Sequence, residues 1–233
     1  MNRSVESISA PVLLALDTAD EVLGAAVCRG GKVLSALDLP LKKGRDAALT
    51  ELARAVLSEA GLTLENVEEV AICSGPGSFT GLRVGYSFAK GICFARGLAL
   101  KPVSAFEALA HSAAGSEGLL IPVIHARGEE VYAAVYRKRR GNLELEQQGD
   151  LYRISQLRDL VSEPCTMVGS GFRRHYAELK EMLGERLLNS PEAAARSCAS
   201  EVGILAEKSG AKILSQDLAA AEPEYLQNFP RCK

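Results

Sequence analysis

The order strand, strand, strand, helix, strand is written into this chain twice, and that repetition limits its fold more than any other feature. Val12 to Leu16, Leu23 to Cys28 and Val33 to Leu39 are short β-like runs, and Arg29-Gly30-Gly31-Lys32 joins the last two as a hairpin. From Asp46 to Ala60 the apolar residues Leu49, Leu52, Ala53, Val56 and Ala60 fall at helical spacing, with Gly61 as the stop. Val67 to Cys73 then reads as a buried strand, Thr80 to Arg96 as a helix ended by Gly97, Leu98 to Val103 as a strand and Ala105 to Ala114 as a helix. The second half restarts with strands at Leu119 to Ile124, Val131 to Tyr136 and Leu143 to Gly149. A helix capped by Ser155 and running through Val161 follows, then a strand at Thr166 to Val168. Pro191 starts a last helix to about Ser209, and the tail Pro223 to Lys233 looks irregular. The pattern predicts one α/β chain of two ribonuclease-H-like halves, residues 1–116 and 117–233, with the boundary near Gly115 to Gly118.

At 233 residues, 47% hydrophobic and 24% charged, the chain can bury the core of one large or two small domains. Its 27 basic and 29 acidic residues leave a formal charge of -2, so there is no overall pull toward nucleic acid or anionic lipid. Any contact with RNA is therefore local or borrowed from a partner. Cys28, Cys73, Cys93, Cys165, Cys198 and Cys232 form no C-x-x-C pair, and several sit in apolar stretches; free thiols in a reducing compartment are expected, not disulfides or zinc ligands. The leader Met1 to Ala10 holds one Arg, and the apolar run after it stops at Asp17. Both are too short for a signal peptide or a span, so a cytoplasmic protein without membrane contact is expected.

The stretch SGPGSFTGLRVGYSFAKG, Ser74 to Gly91, carries a buried strand into a helix. Such a junction is a natural anion cradle, because the first helical N–H groups are unpaired. Yet no Lys follows the last glycine as a Walker A loop requires, the spacing G-x-G-x-x-x-G follows the fourth strand rather than the first, and Pro76 removes a donor. Ser78 lacks the G-x-S-x-G elbow of a nucleophile. The structural alternative has Gly75 and Gly77 in backbone conformations costly for other residues, Pro76 fixing the loop and Ser78 or Thr80 capping the helix. Gly81, Gly85 and Ala89 recur every four residues and leave a flat stripe for close helix packing, with Leu82, Tyr86 and Cys93 beside it. Core packing and an intermolecular interface both remain open from the residues alone.

LALDTA at Leu14 to Ala19, SGPGSFTGLRVG at Ser74 to Gly85, AKG at Ala89 to Gly91, EVY at Glu130 to Tyr132 and P-x-Y-L at Pro223 to Leu226 resemble the TsaB (YeaZ) family. The match runs in order over nearly the whole chain, and its GPGSFTGLR block is highly specific. The resemblance implies an actin-like fold of two ribonuclease-H-like halves. It also implies a non-catalytic scaffold and dimerisation subunit for making N6-threonylcarbamoyladenosine in tRNA. The expected partners are the catalytic subunit TsaD, which holds the metal, the nucleotide and the chemistry, and the ATPase TsaE; tRNA is met only indirectly, and the chain alone forms a homodimer. No cofactor of its own is implied.

By the same resemblance the partner interface lies on the two helices, at Leu49, Leu52, Ala53, Val56, Gly81, Leu82, Gly85, Tyr86 and Ala89. The loop Gly75, Pro76, Gly77 and Ser78 orients the second helix, and Asp17 and Thr18 are a vestigial nucleotide site. Two positions depart from the family pattern: His125-Ala126-Arg127 stands where Asp-Ala-Arg is usual, which weakens any case for a magnesium nucleotide, and Arg45 stands where a His is common. His111, His125 and His175 lie far apart in the chain and match no ligand spacing, so no metal is expected. The basic run Arg137 to Arg140 reads as a solvated hairpin tip without the aromatics that stack bases. Two other classes stay open: an active actin-like ATPase or kinase using Asp17, Thr18 and the glycine loop, and a glycopeptidase, for which no nucleophile and base are found.

Overall fold

A computed structural model of the chain describes residues 10–40, 45–113, 115–190 and 197–226. The leader before Ala10, Lys42 to Gly44, the expected helix start at Pro191 and Cys232 lie outside the described residues, as does the side chain of Arg45.

The chain divides into two compact units, one drawn from Met1–Ala108 and Arg196–Pro223, the other from Leu109–Ala195 and Glu224–Lys233. In the first, β1 (Leu13–Asp17), β2 (Val22–Arg29), β3 (Lys32–Pro40), β4 (Glu69–Gly75) and β5 (Ala99–Ser104) form a sheet in the order β3-β2-β1-β4-β5. The meander pairs antiparallel, and β4 and β5 join it in parallel. β1 is buried at every position and β4 at all but its first, as central strands covered on both faces must be. Leu14, Leu16, Leu23, Ala25 and Val27 meet Leu49, Val56 and Tyr86 in one apolar cluster under α1 (Arg45–Glu59) and α2 (Phe79–Arg96). β5 leads into α3 (Ala105–Ser112).

The second unit repeats the plan with β6 (Gly118–Arg127), β7 (Glu130–Arg139), β8 (Asn142–Arg153) and β9 (Cys165–Val168), ordered β8-β7-β6-β9 with β9 parallel to β6. The strand-rich repeat read from the sequence is therefore present in both sheets. Where a helix capped by Ser155 was expected, Ile154–Leu160 forms a 3-10 turn without a side-chain cap. Its buried residues Ile154, Leu157 and Leu160 recur every three positions, the period of a 3-10 rather than an α-helix. Two short helices absent from the sequence reading, α4 (Ser170–Arg174) and α5 (Tyr176–Leu183), follow β9.

The expected division into 1–116 and 117–233 does not match these units, because α6 (Ala199–Lys208) packs on β1 and β2 of the first. Without it Ala15 and Cys28 would face water on the side away from α1. The approach is close: a Cβ on Gly203 would stand 2.3 Å from Cys28 Sγ, and one on Gly24 would stand 1.7 Å from Ser197 Oγ. No helix among the described residues is long and apolar enough to cross a membrane.

Candidate functional site

β1 delivers Asp17 and Thr18 to its C-terminal end, where open α/β sheets commonly hold ligands, but both side chains are buried. Asp17 Oδ1 accepts the Ala19 N–H at 3.0 Å, closing its own turn. Oδ2 accepts the Cys198 N–H at 2.7 Å, where α6 begins and the unpaired donors and dipole of a helix favour a negative charge. Burial pushes the Asp17 pKa up, and these two hydrogen bonds act against it. The adjacent thiols of Cys73 and Cys198 are pushed well above their ordinary range, first by burial and then by the charge of Asp17. These residues do not fit a magnesium nucleotide, whose ion needs carboxylate oxygens free to coordinate. Among the described residues no group of three or more His, Cys, Asp or Glu is placed to hold a metal ion.

The glycine loop is engaged with the same turn. Gly75 has φ 108°, the left-handed side that the sequence predicts, and the Gly75–Pro76 peptide is cis. Gly77 does not share that conformation; it is glycine because a Cβ there would stand 2.3 Å from the Ala19 carbonyl oxygen. The Ser78 N–H donates to that carbonyl at 2.6 Å, and Ser78 Oγ caps α2 by accepting the Gly81 N–H at 3.3 Å. Two donors that a phosphate cradle would present are thus already satisfied within the chain.

The stripe on α2 faces inward, contrary to its expected place in a partner interface. A Cβ on Gly85 would meet Thr18 Oγ1 at 2.2 Å and Ile72 Cδ1 at 3.1 Å. Leu49, Leu52, Ala53, Val56, Gly81, Leu82, Tyr86 and Ala89 are all buried as well. The reason is packing: small residues let α2 lie close on β1 and β4, and the larger ones fill the cluster beneath. The outward sides of the same helices carry different residues. Thr50 of α1 and Arg83, Val84, Ser87 and Phe88 of α2 line a groove of about 390 Å³, and Phe94 further along is 81% exposed. The Arg83 guanidinium lies 4.0 Å from the centroid of the Phe79 ring, a cation–π contact at the groove's edge. Val84, Phe88 and Ile92 are half-buried against the margin of the core cluster, so the apolar part of the groove is the rim of that core and not a separate face of α2.

In the second unit the basic run is met by acids. Arg137 pairs with Glu146 and Glu163, and the N–H groups of Arg140 and Gly141 donate to Glu117 at 3.0 and 3.3 Å. This accords with a structural tip rather than a phosphate-binding one.

Two repeated three-strand meanders, each extended by a parallel strand, define the actin-like class of α/β proteins, here with the first turn closed by the chain's own groups. The family described as "TsaD: tRNA N6-adenosine threonylcarbamoyltransferase" matches residues 42–229. The chain belongs to that family, in its TsaB (YeaZ) branch. It is similar to the "tRNA threonylcarbamoyladenosine biosynthesis protein TsaB" of Bacillus subtilis, 25% identical over 218 residues that make up 92% of this chain and 93% of the relative. The solved structure of "YeaZ from Pseudomonas aeruginosa" superposes with a TM-score of 0.74 at 26% identity, covering 93% of this chain and all of that one. In fold alone it also resembles component A of the (R)-2-hydroxyglutaryl-CoA dehydratase of Acidaminococcus fermentans, with a TM-score of 0.52, 13% identity and 85% of this chain and 98% of that one covered.

Proposed function

We propose that this chain serves the biosynthesis of threonylcarbamoyladenosine in tRNA as a non-catalytic scaffold that binds the catalytic subunit TsaD, with TsaE as the third member. The observation that carries the non-catalytic part is the closed turn: both Asp17 oxygens and the Ser78 and Gly81 N–H groups are bonded within the fold. The name of the Bacillus subtilis relative supports the pathway. On this reading the chain works in the cytoplasm, meets tRNA only through its partner and pairs with itself when alone. The purified chain is expected to leave ATP unhydrolysed, and ADP or ATP at millimolar concentration to leave its melting temperature unchanged. Steady turnover in a coupled phosphate assay would overturn the reading in favour of an actin-like ATPase.

The partner surface is the outward groove of α1 and α2, and no longer the buried stripe. Ser87 lines the groove, is exposed, and has no role in the apolar cluster, so Ser87→Arg tests docking without disturbing the core. The variant is expected to unfold like the parent yet bind immobilised TsaD at least about tenfold more weakly, a loss of roughly 1.4 kcal/mol. Unchanged affinity would move the interface elsewhere.

A further inference from the structure

The chain has three histidines, and the fold brings two of them together although 50 residues separate them in sequence. His125 lies near the end of β6, the place in the second unit that Asp17 has in the first, and Gly169 just after β9 has φ 109° as Gly75, the last residue of β4, has φ 108°. In the first unit this end of the sheet is closed by a carboxylate bonded to α6; in the second it carries imidazoles. The His125 N–H donates to Ser170 Oγ at 3.0 Å. His175 sits at the junction of α4 and α5, its N–H donating to the Gly171 carbonyl at 3.1 Å and its carbonyl accepting the Leu179 N–H at 3.0 Å, so its backbone is held from both sides. The two ring centroids are 5.9 Å apart with 38° between the planes.

His175 Nε2 is buried and has no hydrogen-bond partner, a costly state for a nitrogen lone pair. Its Nδ1 stands 3.8 Å from Glu178 Oε2, beyond hydrogen-bond distance, and no neighbour on α5 occupies Nε2. We propose that His125 and His175 together form a site for a borderline divalent transition-metal ion such as Ni²⁺ or Zn²⁺, with water completing the shell. Metal–nitrogen bonds of about 2.1 Å place two imidazoles of one such ion with centroids roughly 4.5 Å apart at a right angle and roughly 5.3 Å at the tetrahedral angle, so the pair at 5.9 Å has to close by about 1 Å through side-chain rotation to share an ion. Neutral imidazole nitrogens select this class over Mg²⁺ or Ca²⁺, which take oxygen ligands. The spacing of the histidines in sequence gives no hint of such a site, because the 49 residues between them include a hairpin and a parallel crossover.

The test is calorimetric titration of the tag-free full chain with NiCl₂, with MgCl₂ as the reference ion. One saturable Ni²⁺ site and no Mg²⁺ uptake are expected. His175→Ala and His125→Ala should each weaken Ni²⁺ binding at least tenfold, while His111→Ala leaves it as in the parent. Should either alanine variant lose its native circular dichroism, His175→Gln and His125→Gln take its place. Paramagnetic Ni²⁺ should also broaden the ring signals of His125 and His175 ahead of those of His111. Absence of saturable uptake by the parent chain, or folded His variants that bind Ni²⁺ as tightly as the parent, would overturn the site.

Discussion

Asp17→Ala is expected to lower the free energy of unfolding by about 2 to 6 kcal/mol, because it strands two buried N–H donors at roughly 1 to 3 kcal/mol each. Those donors are Ala19, in the turn after β1, and Cys198, at the start of α6. The sign of the effect separates two accounts of this residue. A carboxylate kept for binding a nucleotide or metal is usually held at a cost to stability, so its removal tends to stabilise the free protein. A carboxylate that fastens α6 to β1 destabilises when removed, even though burial raises its pKa. Urea denaturation measures the size, and amide exchange locates it: protection along Ala199–Lys208 should fall more than protection in α1. A more stable Asp17→Ala variant would show that the turn is a ligand site after all.

Glycine-to-alanine changes at two positions of α2 should move stability in opposite directions. At Gly85 the new methyl would stand 2.2 Å from Thr18 Oγ1, with Ile72 and the Thr18 methyl both at 3.1 Å. Overpacking of that kind costs about 1 to 3 kcal/mol, more than the roughly 1 kcal/mol that alanine gains over glycine in helix propensity. Gly85→Leu, with three further carbons to place, should fail to fold stably. Gly91 lies six residues further along the helix, exposed, with nothing within 4 Å of its prospective Cβ. Gly91→Ala should therefore stabilise by about 0.5 to 1 kcal/mol. Thermal denaturation of the two variants beside the parent decides the matter. Equal shifts of the same sign would mean that the Gly81, Gly85, Ala89 row does not lie against the sheet.

Apart from the 3-10 segment Ile154–Leu160, the elements from residues 12 to 168 are legible because their signals are local. A continuous apolar run marks β2, Leu49 to Val56 keep the helical period of α1, and Ser78 and Gly97 stand at the ends of α2 as cap and stop. The ordered motifs from Leu14 to Leu226 likewise identify the TsaB (YeaZ) branch without a coordinate. What sequence leaves undecided is which surface meets which. Helical periodicity gives α2 two adjoining rows, Gly81-Gly85-Ala89 and Val84-Phe88-Ile92, and both suit close contact; only the position of Thr18 and Ile72 sets the first against the sheet and leaves Val84 and Phe88 at the core margin lining the groove. The same holds for pairings across the chain. Asp17 and Cys198 are 181 residues apart, and neither residue type announces the other. That α6 covers the first sheet, that Gly24 and Gly203 are needed for its approach, and that His125 meets His175 all follow from burying the free faces of two sheets, a requirement satisfied by the whole chain at once and carried by no local stretch of it.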